Sequence, residues 1–386
     1  MIIYITGDVF ERGCGTYTAL SQTTKGLSRR GVSTLIVGSG RGYKVKEYSK
    51  LRRAISFKKI FWKNLHFTLG LSDYLNSIVN KVRVVSMEGV WLYSNRHAYI
   101  VCQENNIPYM LTPHGNLNEY ALSISKFKKF FFKKYFYSEI FDNAACIRAL
   151  SFQEYLAIRK FGIKAPICII PNSVISENNN LKLSKDSSFK KYFLNRKVFT
   201  YLGRLHSIKN IEGVIKAWST SITFNNKEFS LIIAGEGSSD YTKSLKSLAR
   251  SLNIENIIFL GGVWGLKKEF LLRESFFTIL NSKSEALPMS ILESFSYGTP
   301  VAISKFSGLS QKELKGSGFV YEGDDILSTL IDKISKLEVK EYRVMQLRAL
   351  RLISISYSPE VVSQNIIDVY SWIEGDCPPP STVIFD

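Results

Sequence analysis

The sequence predicts an α/β protein built from two doubly wound parallel sheets. Three observations lead there. The chain has 386 residues, the length of two ordinary domains. It opens strand–helix–strand, the unit from which parallel sheets are made. From residue 198 onward, short apolar runs alternate with helical stretches in an unbroken βα period. With 45% hydrophobic residues, the chain has enough apolar surface for two large cores.

Taken in order, residues 2–6 (IIYIT) form a strand, 17–30 a helix stopped by Gly31, and 33–37 (STLIV) the next strand. The loop between the first strand and the helix carries Gly13 and Gly15. A dinucleotide fingerprint would need a third glycine where Thr18 stands, and an acidic residue after Val37 that is missing. Nicotinamide and flavin sites are thereby disfavoured. Two uses remain for Gly13 and Gly15: a close backbone approach to a ligand, or a tight turn.

Residues 41–63 are basic and aromatic, with no element assigned. Residues 82–86 (VRVVS) read as a strand, followed by a loop with Glu88 and Trp91. Residues 96–105 read as a helix and 109–112 as a strand that runs into Pro113-His114-Gly115. Loops after strand C-termini line the ligand crevice of such a sheet, which makes His114 a candidate site residue. Residues 125–141 put Phe127, Phe131 and Tyr135 in one helical sector and Lys126, Lys129 and Lys133 in another. Three readings stay open: core aromatics with solvated lysines, a helix lying on an anionic membrane, or a nucleic-acid groove. Strands follow at 146–150 and 167–170.

Residues 176–197 are polar, lysine-rich and aperiodic, and read as a linker between domains at 1–175 and 198–358. The second half then runs strand 198–202, helix 208–220, strand 229–234, helix 239–252, strand 256–260, helix 265–273, strand 276–280, helix 288–297 and strand 301–303. A last strand at 318–322 and helices at 324–336, 339–353 and 359–374 complete it, and the tail reads as loose.

Two segments carry chemistry. After strand 198–202, Gly203 permits a close approach, while Arg204 and Lys209 place two cations near a helix start, as a diphosphate requires. Gly235 begins a similar loop after strand 229–234. In residues 281–302, Glu285 precedes a helix opened by Leu287, Pro288, Met289 and Ser290, and Glu293 lies inside it. That segment offers two carboxylates to sugar hydroxyls and free amides to a phosphate. No D-x-D sequence occurs that would hold a metal beside a sugar diphosphate, and no metal ligand set is expected.

The net charge of +18 calls for an anionic partner. Five scattered cysteines with no metal-like spacing read as reduced thiols in a cytoplasmic chain. The first residues lack a signal peptide's basic and cleavage regions. No stretch reaches the roughly 18 apolar residues that span a bilayer.

The motifs G-R-L-H-x-x-K-N (203–210) and S-E-A-L-P-M-S-I-L-E-S-F-S-Y-G-T-P-V (284–301), with 112–117 (TPHGNL) and 170–173 (IPNS), are those of a known family. On them the chain resembles the family 4 glycosyltransferases of the GT-B fold, in particular bacterial enzymes that build O-antigen, capsule or exopolysaccharide. The resemblance implies two Rossmann-like domains with parallel sheets facing across a cleft, the helix at 359–374 crossing back onto the first. It implies that Arg204 and Lys209 bind the donor diphosphate, that Glu293 holds the ribose and that Glu285 faces the transferred sugar. Amides from Leu287 to Ser290, with Gly203 and Gly235, would lie on the donor, and His114, Gly13 and Gly15 on the opposite wall. Glu88 and Trp91 would lie toward the acceptor.

The chain departs from the family pattern at Glu88, where many relatives have His, at Asn281 for Pro, at Ser173 for Gly, and at Cys14, which interrupts a Gly-Gly pair. The resemblance implies a retaining, metal-independent transfer from a UDP- or GDP-linked sugar, with no cofactor and with the leaving phosphate taking the acceptor proton. The expected partners are that nucleotide-sugar, a lipid-linked or polysaccharide acceptor and an anionic membrane surface on the cytoplasmic face. Nucleic acid is not expected. The alternatives are a GT-B epimerase or hydrolase acting on the nucleotide-sugar alone, and a basic nucleic-acid-binding protein, for which no motif is present.

Overall fold

The computed structural model describes residues 1–11, 14–60, 68, 70–124, 137–175 and 190–385. Gly13, Lys126, Lys129 and Lys133 lie outside them, as do Phe127, Phe131 and Tyr135 and most of the stretch read as a linker. The chain forms two compact units: Met1–Val174 with Ser356–Asp386, and Ile175–Ile355.

The first unit contains strands β1 (Ile2–Asp8), β2 (Thr34–Gly40), β3 (Lys44–Ser49), β4 (Arg52–Lys58), β5 (Val84–Glu88), β6 (Tyr109–Thr112), β7 (Cys146–Ala149) and β8 (Ile167–Ile169). The second contains β9 (Lys197–Leu202), β10 (Phe229–Ala234), β11 (Ile257–Gly261), β12 (Phe277–Leu280), β13 (Val301–Ser304) and β14 (Gly318–Tyr321). A short β15 (Val383–Ile384) returns to the first unit.

Among the described residues, the first sheet has the order β15-β8-β7-β6-β5-β1-β2-β4-β3. It is parallel except at its edges, where β3 and β15 run antiparallel. The apolar run of β1 is that of a strand buried on both faces. Ile3 and Ile5 join Val85, Met87 and Leu111 in one core, and Ile2 and Tyr4 join Val84 and Met110 in the other. The helix Pro359–Ile373 closes this second core with Val362, Ile366, Val369 and Tyr370, at helical spacing. Ser358 caps it, its Oγ accepting from Val361 N at 3.3 Å, and Pro359 needs no donor at the helix start. Arg30 at the end of helix Gly15–Arg29 donates to Ser363, Gln364 and the Glu360 carbonyl.

The second sheet is wholly parallel, in the order β11-β10-β9-β12-β13-β14. Among the parallel strands the order switches direction between β1 and β5 in the first sheet and between β9 and β12 in the second. Ligands of open α/β sheets bind at such switch points, outside the strand C-termini.

Several expectations need correction. Residues 44–58 form the β3–β4 hairpin where no element was assigned. The tail is anchored, since Val383 and Ile384 pair with Cys168 and Ile167. Glu88 ends β5 and is buried, instead of lying in a loop. The helix expected at 208–220 begins at Ile211: Ser207–Lys209 is a 3₁₀ turn, and Asn210 breaks the run with φ +46°. Asparagine tolerates that left-handed backbone, so the turn can hold Lys209 outside the helix.

Candidate active site

Two loops meet at the switch point of the second sheet, one following β9 and the other following β12. Lys283 N donates to Ile208 O at 2.8 Å and Asn281 Nδ2 to Asn210 O at 3.3 Å, which stitches them together. Asn281 is buried, accepts from Tyr321 Oη at 3.0 Å and donates to Asp324 Oδ1 at 2.8 Å. Asn210 Nδ2 donates to the same carboxylate at 3.0 Å. The departure at 281 therefore has a structural use: it locks the turn that carries Lys209.

Lys209 Nζ pairs with Glu285 Oε1 across the two loops, and both side chains are largely buried. Ser282 Oγ donates to the same oxygen at 2.7 Å, and Glu285 N donates to Phe306 O at 2.9 Å. The chain beneath is tight: a Cβ on Gly308 would come within 2.0 Å of Ala286 O, and its φ is +81°. Only glycine fits there. The cation and the carboxylate singled out for separate duties are thus each other's partner, each lowering the cost of burying the other.

The helix Met289–Ser296 starts from Pro288 with no side-chain cap. Pro288 is its N-cap, one position before the first turn in which it was expected. Among the described residues, no acceptor meets the N–H groups of Leu287, Met289 and Ser290. Orphan amides with a helix dipole behind them suit an anion. Glu293 lies one turn in, with Lys268 Nζ 2.7 Å from its Oε1. Arg204 is exposed, and among the described residues no carboxylate pairs with it. Its carbonyl is held by Tyr201 Oη at 2.8 Å, which shapes the turn after Gly203. Gly235 is required by packing: a Cβ there would lie 1.8 Å from Gly203 O. It lets the loop after β10 press against the loop that carries Arg204.

In the first unit, Glu88 and His114 stand at the ends of adjacent strands β5 and β6. Glu88 Oε2 lies 2.6 Å from His114 Nε2, and Ser86 Oγ donates to Oε1 at 2.8 Å. Burial would push the Glu88 carboxyl up, but His114, Arg148 and Ser86 together hold it below the usual carboxylate range. Glu154, fully buried behind them, is pushed up by that burial, and it accepts from Gly115 N at 2.5 Å and Leu150 N at 2.8 Å. Trp91 packs against Tyr137 with ring centroids 5.3 Å apart and against Phe141 at 6.4 Å, so its bulk serves the core. Gly15 opens its helix with nothing within 4 Å of a notional Cβ, so packing does not require glycine there.

Sequence reasoning did not reach Lys268, Ser282, Arg148 or Glu154. Lysine and serine are common on helix starts and loops. Arg148 and Glu154 look like solvated charges until the fold buries them.

Two parallel α/β units, each with charged residues at the switch point of its sheet, define the GT-B architecture. Solved structures agree. Sucrose-phosphate synthase from Thermosynechococcus elongatus superimposes with a TM-score of 0.78 over 97% of this chain and 100% of that one, at 16% identity. The HepE protein of Anabaena, in complex with UDP and glucose, does so with a TM-score of 0.74 over 96% and 100%, at 17% identity. In sequence, residues 184–349 match the family model of glycosyl transferases group 1. An uncharacterized glycosyltransferase of Methanocaldococcus jannaschii is 27% identical over 179 residues, 45% of this chain. That match spans 44% of the relative's own length.

Proposed function

We propose that this protein is a retaining, metal-independent family 4 glycosyltransferase. It moves a hexose from a UDP- or GDP-linked donor to a lipid-linked or polysaccharide acceptor in bacterial surface-glycan synthesis. The observation that carries the reading is the group at the second switch point: Arg204 and Lys209, two paired carboxylates and a helix start with orphan amides. This group lies within the stretch matched by the glycosyl transferase model, and HepE was solved with UDP and glucose.

The chemistry follows from charge. Breaking a glycosyl–phosphate bond leaves negative charge on the diphosphate. Arg204, Lys209 and the amides of Leu287, Met289 and Ser290 offer preorganised positive charge to it, and one such donor is commonly worth about 10²- to 10³-fold in kcat. Glu293 binds the ribose hydroxyls and Glu285 orients the transferred sugar. A phosphate oxygen of the leaving group takes the acceptor proton.

An anionic membrane is the proposed site of action, on the cytoplasmic face. Among the described residues no helix is long and apolar enough to cross a bilayer. The edge strand β3 and the turn before it expose Arg41, Tyr43, Lys44, Val45 and Lys46, a mixture of cations and apolar groups suited to such a surface.

Product analysis tests the reading. The protein is incubated with labelled UDP- and GDP-sugars and a bacterial lipid extract, and the products are examined by NMR. A new glycoside with the donor's anomeric configuration is expected. Free sugar, an epimerised donor or an inverted linkage would contradict it.

A further inference from the structure

We propose that Glu88 is a positioning residue that keeps a proton on His114 Nε2, so that Nδ1 is presented as a fixed hydrogen-bond acceptor to a sugar hydroxyl. The inference deepens the transferase reading and rests on it for the identity of the ligand. It begins with a departure: Glu88 is an acidic residue at the end of a central strand, in register with Thr112, from which the chain reaches His114 two residues later. A carboxylate here is costly unless every lone pair is used.

Both oxygens are engaged. Ser86 donates to one and His114 Nε2 faces the other at 2.6 Å. A carboxylate that only accepts requires the hydrogen of that contact to sit on the imidazole. That contact holds the ring, and the backbone that carries it is clamped. His114 has φ +54° and Gly115 φ +77°, and Gly115 N is held by Glu154 Oε1. A histidine kept in the left-handed region is a strained residue held by its surroundings, which is common at working sites.

The other charged and titratable groups turned toward the pair are Arg148 on β7, Glu154 on the helix Phe152–Phe161, Tyr4 on β1 and Tyr370 on the helix Pro359–Ile373. Arg148 is fully buried, donates to Ile170 O and Pro171 O, and its charge favours the ionised Glu88. The ring's second nitrogen has no partner among the described residues, and the His114 side chain keeps 12% of its surface exposed. A carboxylate behind one imidazole nitrogen sets tautomer and orientation together.

Glu88→Gln is the discriminating change, because it keeps shape while reversing the hydrogen bond. With Ser86 donating to the new side chain's carbonyl oxygen, its amide nitrogen donates to Nε2 and moves the ring proton to Nδ1. The ¹⁵N NMR spectrum of His114 in the full chain at neutral pH should show Nε2–H in the wild type and Nδ1–H in the variant. The kcat/KM for sugar transfer should fall about 10- to 100-fold in the variant, with the nucleotide-induced rise in Tm unchanged. His114→Asn, which tolerates the positive φ, should lose a similar factor and supplies the kinetic test if Glu88→Gln does not fold. Nδ1–H or doubly protonated His114 in the wild type would overturn the proposal. So would a Glu88→Gln enzyme with a flipped tautomer and undiminished kcat/KM, the result a purely structural Glu88 predicts. A wild type with Nε2–H that binds nucleotide but transfers no sugar would overturn the hydroxyl role through failure of the transferase reading, which the NMR result separates from failure of the dyad.

Discussion

Lys209 and Glu285 lie 76 residues apart in the chain and neutralise one another across two loops. That pairing sets what each substitution should do. Glu285→Gln removes the anion and leaves Lys209 to a diphosphate alone. Nucleotide affinity measured by calorimetry should hold or tighten, while sugar transfer falls by about 100-fold because the sugar loses its orientation. Weakened nucleotide binding together with unimpaired transfer would contradict both assignments. The residue types and their neighbourhood were legible in the sequence, because G-R-L-H-x-x-K-N and the glutamate segment each follow a strand. Their contact was not, since it depends on β12 lying beside β9, which no local pattern encodes. Lys268 was illegible for a similar reason: its partner Glu293 sits on another helix.

At the scale of elements, the buried strands of both sheets were legible from their apolar runs, and β10 begins and ends where periodicity put it. The strand β3 was not. Its sequence, KVKEYS, is almost wholly exposed and antiparallel to β4 at the sheet edge, so neither a buried run nor an inward face marks it. Lysines on an edge strand also guard against unwanted strand pairing. The two uses separate experimentally. Lys44→Glu with Lys46→Glu should reduce co-sedimentation with anionic vesicles, each lysine near the surface being worth about 1 kcal/mol, and leave nucleotide binding as it was. Unchanged sedimentation would assign these lysines to edge protection alone. β15 escaped notice because two residues carry no periodicity, although they anchor the tail.

Over the whole molecule, the two-unit α/β plan was legible because βα alternation is a global pattern that survives errors at element ends. The helix start misjudged by three residues shows where local reasoning stops: Asn210 takes a left-handed backbone that buried Asn281 and exposed Asp324 hold in place from another part of the chain. The net charge of +18 calls for an anionic partner without naming it, so the proposed donor site rests on the arrangement at the second switch point. The most direct measurement is therefore a thermal-shift series with UDP, GDP, ADP and CMP on the wild type and Lys209→Ala. A ligand that binds the native state must raise Tm. One nucleoside diphosphate should stabilise the wild type and fail to stabilise Lys209→Ala, whose Glu285 loses its cation beside the phosphates. No shift with any nucleotide, or equal shifts in both proteins, would contradict the donor site at the second switch point.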